Sequence, residues 1–219
     1  MLIIPGTKNT MEDLLYLRES GLIEQIKTFA KTGKLVVGIC GGYQMLGKKL
    51  YDPEGVEGSI HEMEGLGLLD IETRFESKKE MAQVRGRLHK DLPGYLKDVG
   101  GKEVAGYEIH MGTTILGRDA AVLLTIEERL GEKAGYIEGC TNKEGNVVGV
   151  YLHGLFDSVD FMRSLLNTLR KKKGLEEVHT DLTSLEAFKN NEYDKLAKIV
   201  RENVDIETIY KWIKTDKDT

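Results

Sequence analysis

Gly38-Ile39-Cys40-Gly41-Gly42-Tyr43-Gln44 sets one thiol among glycines, where an apolar run (35–39) gives way to helix-like text. The spacing fits G-x-nucleophile-x-G, a strand–turn–helix elbow whose sharp bend requires small neighbours. Gly38 and Gly42 meet that requirement. A cysteine at a helix N-terminus is expected to have a lowered pKa, favouring thiolate, and the Gly41 amide is expected to face a developing oxyanion. A free cysteine can equally be a small buried hydrophobe. The two flanking glycines and the strand–helix switch favour Cys40 as nucleophile.

A thiol in acyl transfer needs a proton shuttle. His153 follows the apolar run 147–152 directly, so it should lie at a strand's carboxyl end, where sites of open parallel sheets gather. A structural histidine at a strand end fits the same spacing. His110, in Gly106-Tyr107-Glu108-Ile109-His110, is the rival base, whereas His61, His89 and His179 sit in polar text that reads as surface. Pro5-Gly6-Thr7 also ends a strand-like run, and its amides could join Gly41 as oxyanion donors, or simply form a turn. No phosphate-binding GxxxxGK[ST] occurs, and neither the histidines nor the cysteines have metal-ligand spacing. Cys140 falls in turn-like text and takes a structural reading.

The elements that must hold these residues alternate. Short apolar strands at 2–4 and 35–39 are each followed by helical text, at about 11–31 and 42–49. Asn9 is among the N-cap candidates for the first helix, and Gly33 is placed to end it. Further strands are expected at 68–73, 84–88, 107–114, 122–126 and 147–152, with acidic, Gly-rich loop at 51–65. Helices follow at about 159–173, 184–202 and 205–214. The fold class is therefore α/β, an open, mostly parallel sheet flanked by helices, with a helical C-terminal tail. The expected division is a catalytic domain over 1–158 and a helical extension over 159–219 packed on it. With 219 residues, 40% hydrophobic and 31% charged, the chain can bury a core without staples. A net charge of −5 gives no drive toward nucleic acid or anionic membrane. Two cysteines, no targeting segment and no apolar run near ~20 residues predict a reduced, cytoplasmic, soluble protein.

Four segments taken together resemble the class I glutamine amidotransferase domain, and within it the cobyric acid synthase branch. They are Ile4-Pro5-Gly6-Thr7-Lys8-Asn9-Thr10, the stretch 38–47, the stretch 106–112, and Tyr151-Leu152-His153-Gly154-Leu155-Phe156-Asp157. Gln44 separates the chain from the similar cobyrinic acid a,c-diamide synthases. The resemblance implies that Cys40 attacks the side-chain amide of glutamine and that His153 relays protons. It also implies oxyanion contacts from Gly6 and Gly41 and a substrate contact from Gln44. The ammonia would pass to an ATP- and Mg-dependent synthetase domain or subunit that amidates a corrinoid acceptor, adenosylcobyrinic acid a,c-diamide. No cofactor or metal is implied in this chain.

Two departures stand out. Leu155 occupies the position of the usual class I glutamate, which implies a Cys–His pair and leaves the group orienting His153 open, Asp157 being merely nearby. The chain also starts at what is an inner position of the family protein. The synthetase domain and the first strand or strands are expected elsewhere, with a sheet edge exposed and low activity in isolation. The rival readings are the glutaminase subunit of a cell-wall lipid amidating complex, a non-catalytic domain of the same fold, and a generic thiol hydrolase.

Overall fold

The computed structural model describes residues 1–179 and 185–215. The chain divides after His179 into two compact units. The first begins with β1 (Leu2–Ile4), and Pro5, with no N–H to extend a ladder, ends it. α1 (Thr10–Glu19) starts at Asn9, whose side chain accepts from the Glu12 amide at 3.1 Å. The single helix expected over 11–31 is two. Gly21 takes φ +72 between α1 and α2 (Leu22–Lys31), because Ser and Gly favour termination over helix interior. Gly33, at φ +75, closes α2 as its position suggested.

β2 (Val36–Ile39) then leads into a short helix, α3 (Gly41–Met45). After it come β3 (Lys49–Tyr51) and β4 (Glu62–Glu64), where loop and helix end were expected. The long strands β5 (Ile71–Leu88) and β6 (Glu103–Leu116) follow. β7 (Ala121–Arg129) and β8 (Glu132–Thr141) follow, with β5 lying between β6 and β7. β9 (Val147–Val150) and β10 (Leu152–His153) are separated by Tyr151 alone. α4 (Val159–Lys172) buries Phe161 and Leu165 in the first unit's core. The first unit therefore runs past the boundary expected at 158. The second unit holds α5 (Leu185–Asn203) and α6 (Ile206–Thr215). Residue 184, expected to begin a helix, lies outside the described residues.

The sheet is open, as the sequence reading expected, and its pairing is mixed. β1, β2 and β9 run parallel, with Leu2 opposite Val36 and Val36 opposite Val147. β3 and β5 are also parallel, while β9–β8, β8–β7, β7–β5, β5–β6, β3–β4 and β6–β10 are antiparallel. The antiparallel part exists because β5 to β8 are joined without crossover helices. Of the parallel strands, β2 and β9 are buried on both faces. Val36 and Val147 join the cluster under α1 and α2, and their neighbours Val37 and Val148 join the cluster under α4. That double cover fixes the carboxyl ends of β2 and β9 side by side.

Candidate functional site

Cys40 stands between β2 and α3 with φ +52 and ψ −114, a strained conformation for a residue with a Cβ. Its surroundings leave room for nothing larger than glycine. A Cβ on Gly38 would come within 2.6 Å of the Gly42 carbonyl, and one on Gly42 within 2.1 Å of the Ile4 carbonyl. The elbow is thus pressed against the end of β1. The Cys40 amide donates to the Val150 carbonyl at 2.8 Å, which ties its backbone to β9.

The strand ends bring His153 to the same place. A Cβ on Gly6 would lie 3.2 Å from His153 Cε1 and 3.3 Å from Cys40 Cβ, so both side chains converge on Gly6. A Cβ on Gly41 would lie 3.3 Å from the Thr7 amide nitrogen, so the turn after β1 reaches the elbow. The Gly41 amide itself donates toward the Cys40 sulfur. The Gly41 amide and the 6–7 turn therefore both lie beside Cys40.

The thiol differs from the sequence expectation. Burial raises the Cys40 pKa; the Gly41 amide pulls it down, and the Glu57 carboxylate adds to the rise. Cys40 is 9% exposed, and desolvation is the largest of these effects. Cys40 Sγ donates to the Ile109 carbonyl at 3.1 Å. Burial lowers the His153 pKa, partly opposed by a backbone hydrogen bond at Ile109. The resting pair is thus a neutral thiol beside a neutral imidazole. His153 Nε2 is buried without a hydrogen-bond partner among the described residues. The ring stacks on Tyr107 at 5.0 Å with planes 3° apart.

Gln44 is 2% exposed and bonded on every side. Its Oε1 accepts from Thr10 Oγ1 at 3.1 Å, and its Nε2 donates to the Met111 carbonyl at 3.1 Å and to Tyr151 Oη at 3.2 Å. The side chain cross-links α1, α3, β6 and Tyr151, a tie that positions the elbow. His110 packs its ring on Tyr151 at 3.8 Å and bonds the Gly112 carbonyl through Nδ1 at 3.3 Å. It is His153, not His110, that converges on Gly6 with Cys40. His61, His89 and His179 are exposed, as expected. Cys140 is in β8 rather than a turn, buried, with Tyr43 Oη 3.6 Å from its sulfur. Among the described residues no group of three or more His, Cys, Asp or Glu is arranged to hold a metal ion.

Sequence reasoning missed three contributors. The Ile109 carbonyl touches both Cys40 and His153, and a backbone atom leaves no mark in residue types. Tyr107 was read as part of a motif, not as a ring stacked on His153. Glu57, in the acidic loop, reaches the Thr10 amide through Oε2, and its carboxyl is pushed up chiefly by burial.

Residues 1–161 match the family of CobB/CobQ-like glutamine amidotransferase domains. Curated relatives agree. The chain is 47% identical over 217 residues to the cobyric acid synthase of Photorhabdus laumondii, covering 99% of this chain and 42% of that protein. It is 49% identical over 213 residues to that of Alkaliphilus metalliredigens, covering 96% and 42%. A Thermoanaerobacter cobyric acid synthase is 42% identical over the whole chain and 43% of its own length. The chain therefore spans less than half the length of these relatives. Its elbow cysteine, strand-end histidine and backbone donors stand in a chain that belongs to the family of CobB/CobQ-like glutamine amidotransferase domains.

Proposed function

We propose that this chain carries the glutamine-hydrolysing site of a cobyric acid-forming ligase, with Cys40 as nucleophile and His153 as proton shuttle. The observation that carries the reading is the convergence of Cys40 Cβ and His153 Cε1 on Gly6. His153 takes the thiol proton as the sulfur bonds to the carboxamide carbon of glutamine. The oxyanion that forms accepts from the Gly41 amide and from the 6–7 turn. His153 returns the proton to the leaving nitrogen, the C–N bond breaks, and ammonia departs from a glutamyl thioester. Water, deprotonated by His153, then cleaves the thioester to glutamate and restores the thiol. Gln44 holds the elbow rather than spending its own amide on the substrate, since its three hydrogen bonds are already made.

The ammonia serves an ATP- and Mg-dependent synthetase part, which amidates peripheral carboxylates of adenosylcobyrinic acid a,c-diamide. The identity to cobyric acid synthases across nearly the whole chain supports this acceptor. The test is labelling with a diazo-oxo-norleucine, followed by peptide mass spectrometry. An adduct on Cys40, absent from Cys40→Ser, is expected; a chain that stays unlabelled with the synthetase part present would overturn the nucleophile assignment.

A further inference from the structure

Between β9 and β10 the chain changes partners. Through Val150 it pairs with β2, and from Leu152 it pairs with β6, where His153 lies opposite Tyr107. The neighbouring strand β8 follows β9 only as far as Cys140 opposite Gly149. One residue further, Gly139 takes φ +64, and a Cβ there would come within 2.6 Å of the Gly149 carbonyl. β8 therefore turns away where its backbone would have met Tyr151. A carboxyl fills the gap. Glu138 is 5% exposed, and its Oε1 accepts from the Tyr151 amide and faces that of Leu152. Its Oε2 is buried with no partner among the described residues.

We propose that Glu138 is the positioning residue of His153: its carboxyl oxygen holds the two amides before the histidine and so sets where the imidazole meets Cys40. This rests on the glutaminase reading above and supplies the orienting group that Leu155 does not. The role asks for a hydrogen-bond acceptor rather than for a charge. Burial pushes the Glu138 carboxyl up to about 8, the Glu108 carboxylate adds to the rise, and the two backbone amides oppose it. Glu108 bonds Tyr136 Oη at 2.7 Å, and Arg129 is taken up by Glu80 at 2.8 Å, so neither Tyr136 nor Arg129 is the partner of Oε2. Glu138 lines a cavity of about 460 Å³ together with Tyr43, Glu108, His110, Arg129 and Tyr151.

A neutral acceptor can therefore replace the acid. Glu138→Gln keeps an oxygen for the amides, Glu138→Leu removes it, and Glu138→Asp draws it back by one methylene. The full chain with its synthetase part is assayed for glutamine hydrolysis. Ring NMR of labelled histidine, assigned with His153→Gln, follows the titration of His153. Wild-type kcat and His153 titration are expected in the Gln variant. The Leu and Asp variants should lose about 10- to 100-fold in kcat with KM little changed, the range for small misplacement of a reacting group. Their His153 titration should move up toward the ordinary histidine value. The proposal is overturned if folded Leu or Asp variants keep both kcat and the His153 titration, or if Gln falls as far as Leu. Where Leu fails to fold, the Asp and Gln variants decide between these outcomes. The NMR arm needs no turnover, so an inactive wild type would overturn the glutaminase reading and still leave the positioning tested.

Discussion

At Cys40 desolvation and hydrogen bonding oppose each other. The Gly41 amide favours the thiolate, but burial and the Glu57 carboxylate favour the thiol, and the balance lies above the ordinary cysteine value. His153, lowered by burial, stays neutral at physiological pH. On the proposed function, the ion pair would therefore form during the reaction instead of waiting in the resting site. The expected outcome is slow alkylation of Cys40 by iodoacetamide at pH 7. The rate should rise with an inflection above that of an unperturbed cysteine, because deprotonation is required and the folded site delays it. Mass-spectrometric rates across pH 6 to 10 check this; an inflection below the ordinary value would restore the preformed thiolate.

The elements that fix these residues were legible in the sequence to the extent that their signals were local. β1, β2 and β9 are continuous apolar runs, and Gly38, Gly41 and Gly42 mark the elbow by type alone. Asn9 and Gly33 announce the ends of α1 and α2. β8 was not legible, because Glu132-Lys133 and Gly135 give it the look of a turn, and its burial comes from β7 and β9 far away in sequence. β5 was split for the same reason, its stretch Glu76-Ser77-Lys78-Lys79-Glu80 being polar on both faces. Glu138 looks like any surface acid until the sheet closes over it. Gly106 is an intermediate case: it was singled out within a motif, and the structure supplies the reason. A Cβ there would sit 1.9 Å from the His153 carbonyl. Gly106→Ala must therefore push β6 from β10. It should cost about 1–3 kcal/mol of stability by overpacking and lower glutaminase kcat more than stability alone explains. Urea unfolding and assay of the folded variant at the same temperature test this, and a fully active Gly106→Ala would mean that the β6–β10 pairing does not set His153.

Over the whole molecule, one of the two proposed oxyanion donors comes from an edge of the sheet. β1 has three residues and one strand neighbour, β2, and Ile3 beside it is 42% exposed. The 6–7 turn hangs from that edge, while Cys40 directly follows β2, which is buried and paired with both β1 and β9. Edge backbone is the first to open locally, so the donor in this turn is less constrained than the thiol it must serve. The relatives carry more than half of their length beyond the region matched by this chain. If the synthetase part of such a protein braces the edge, glutamine hydrolysis should depend on it. The expected result is a kcat at least about tenfold higher with the synthetase part than without it, a change small beside the 10²–10³ lost when an oxyanion donor is removed outright. KM should change less, because the gain belongs to the oxyanion rather than to ground-state glutamine. Equal kcat for the chain alone and with the synthetase part would mean that the 6–7 turn is already set by the contacts of Gly6, Gly41 and Thr7.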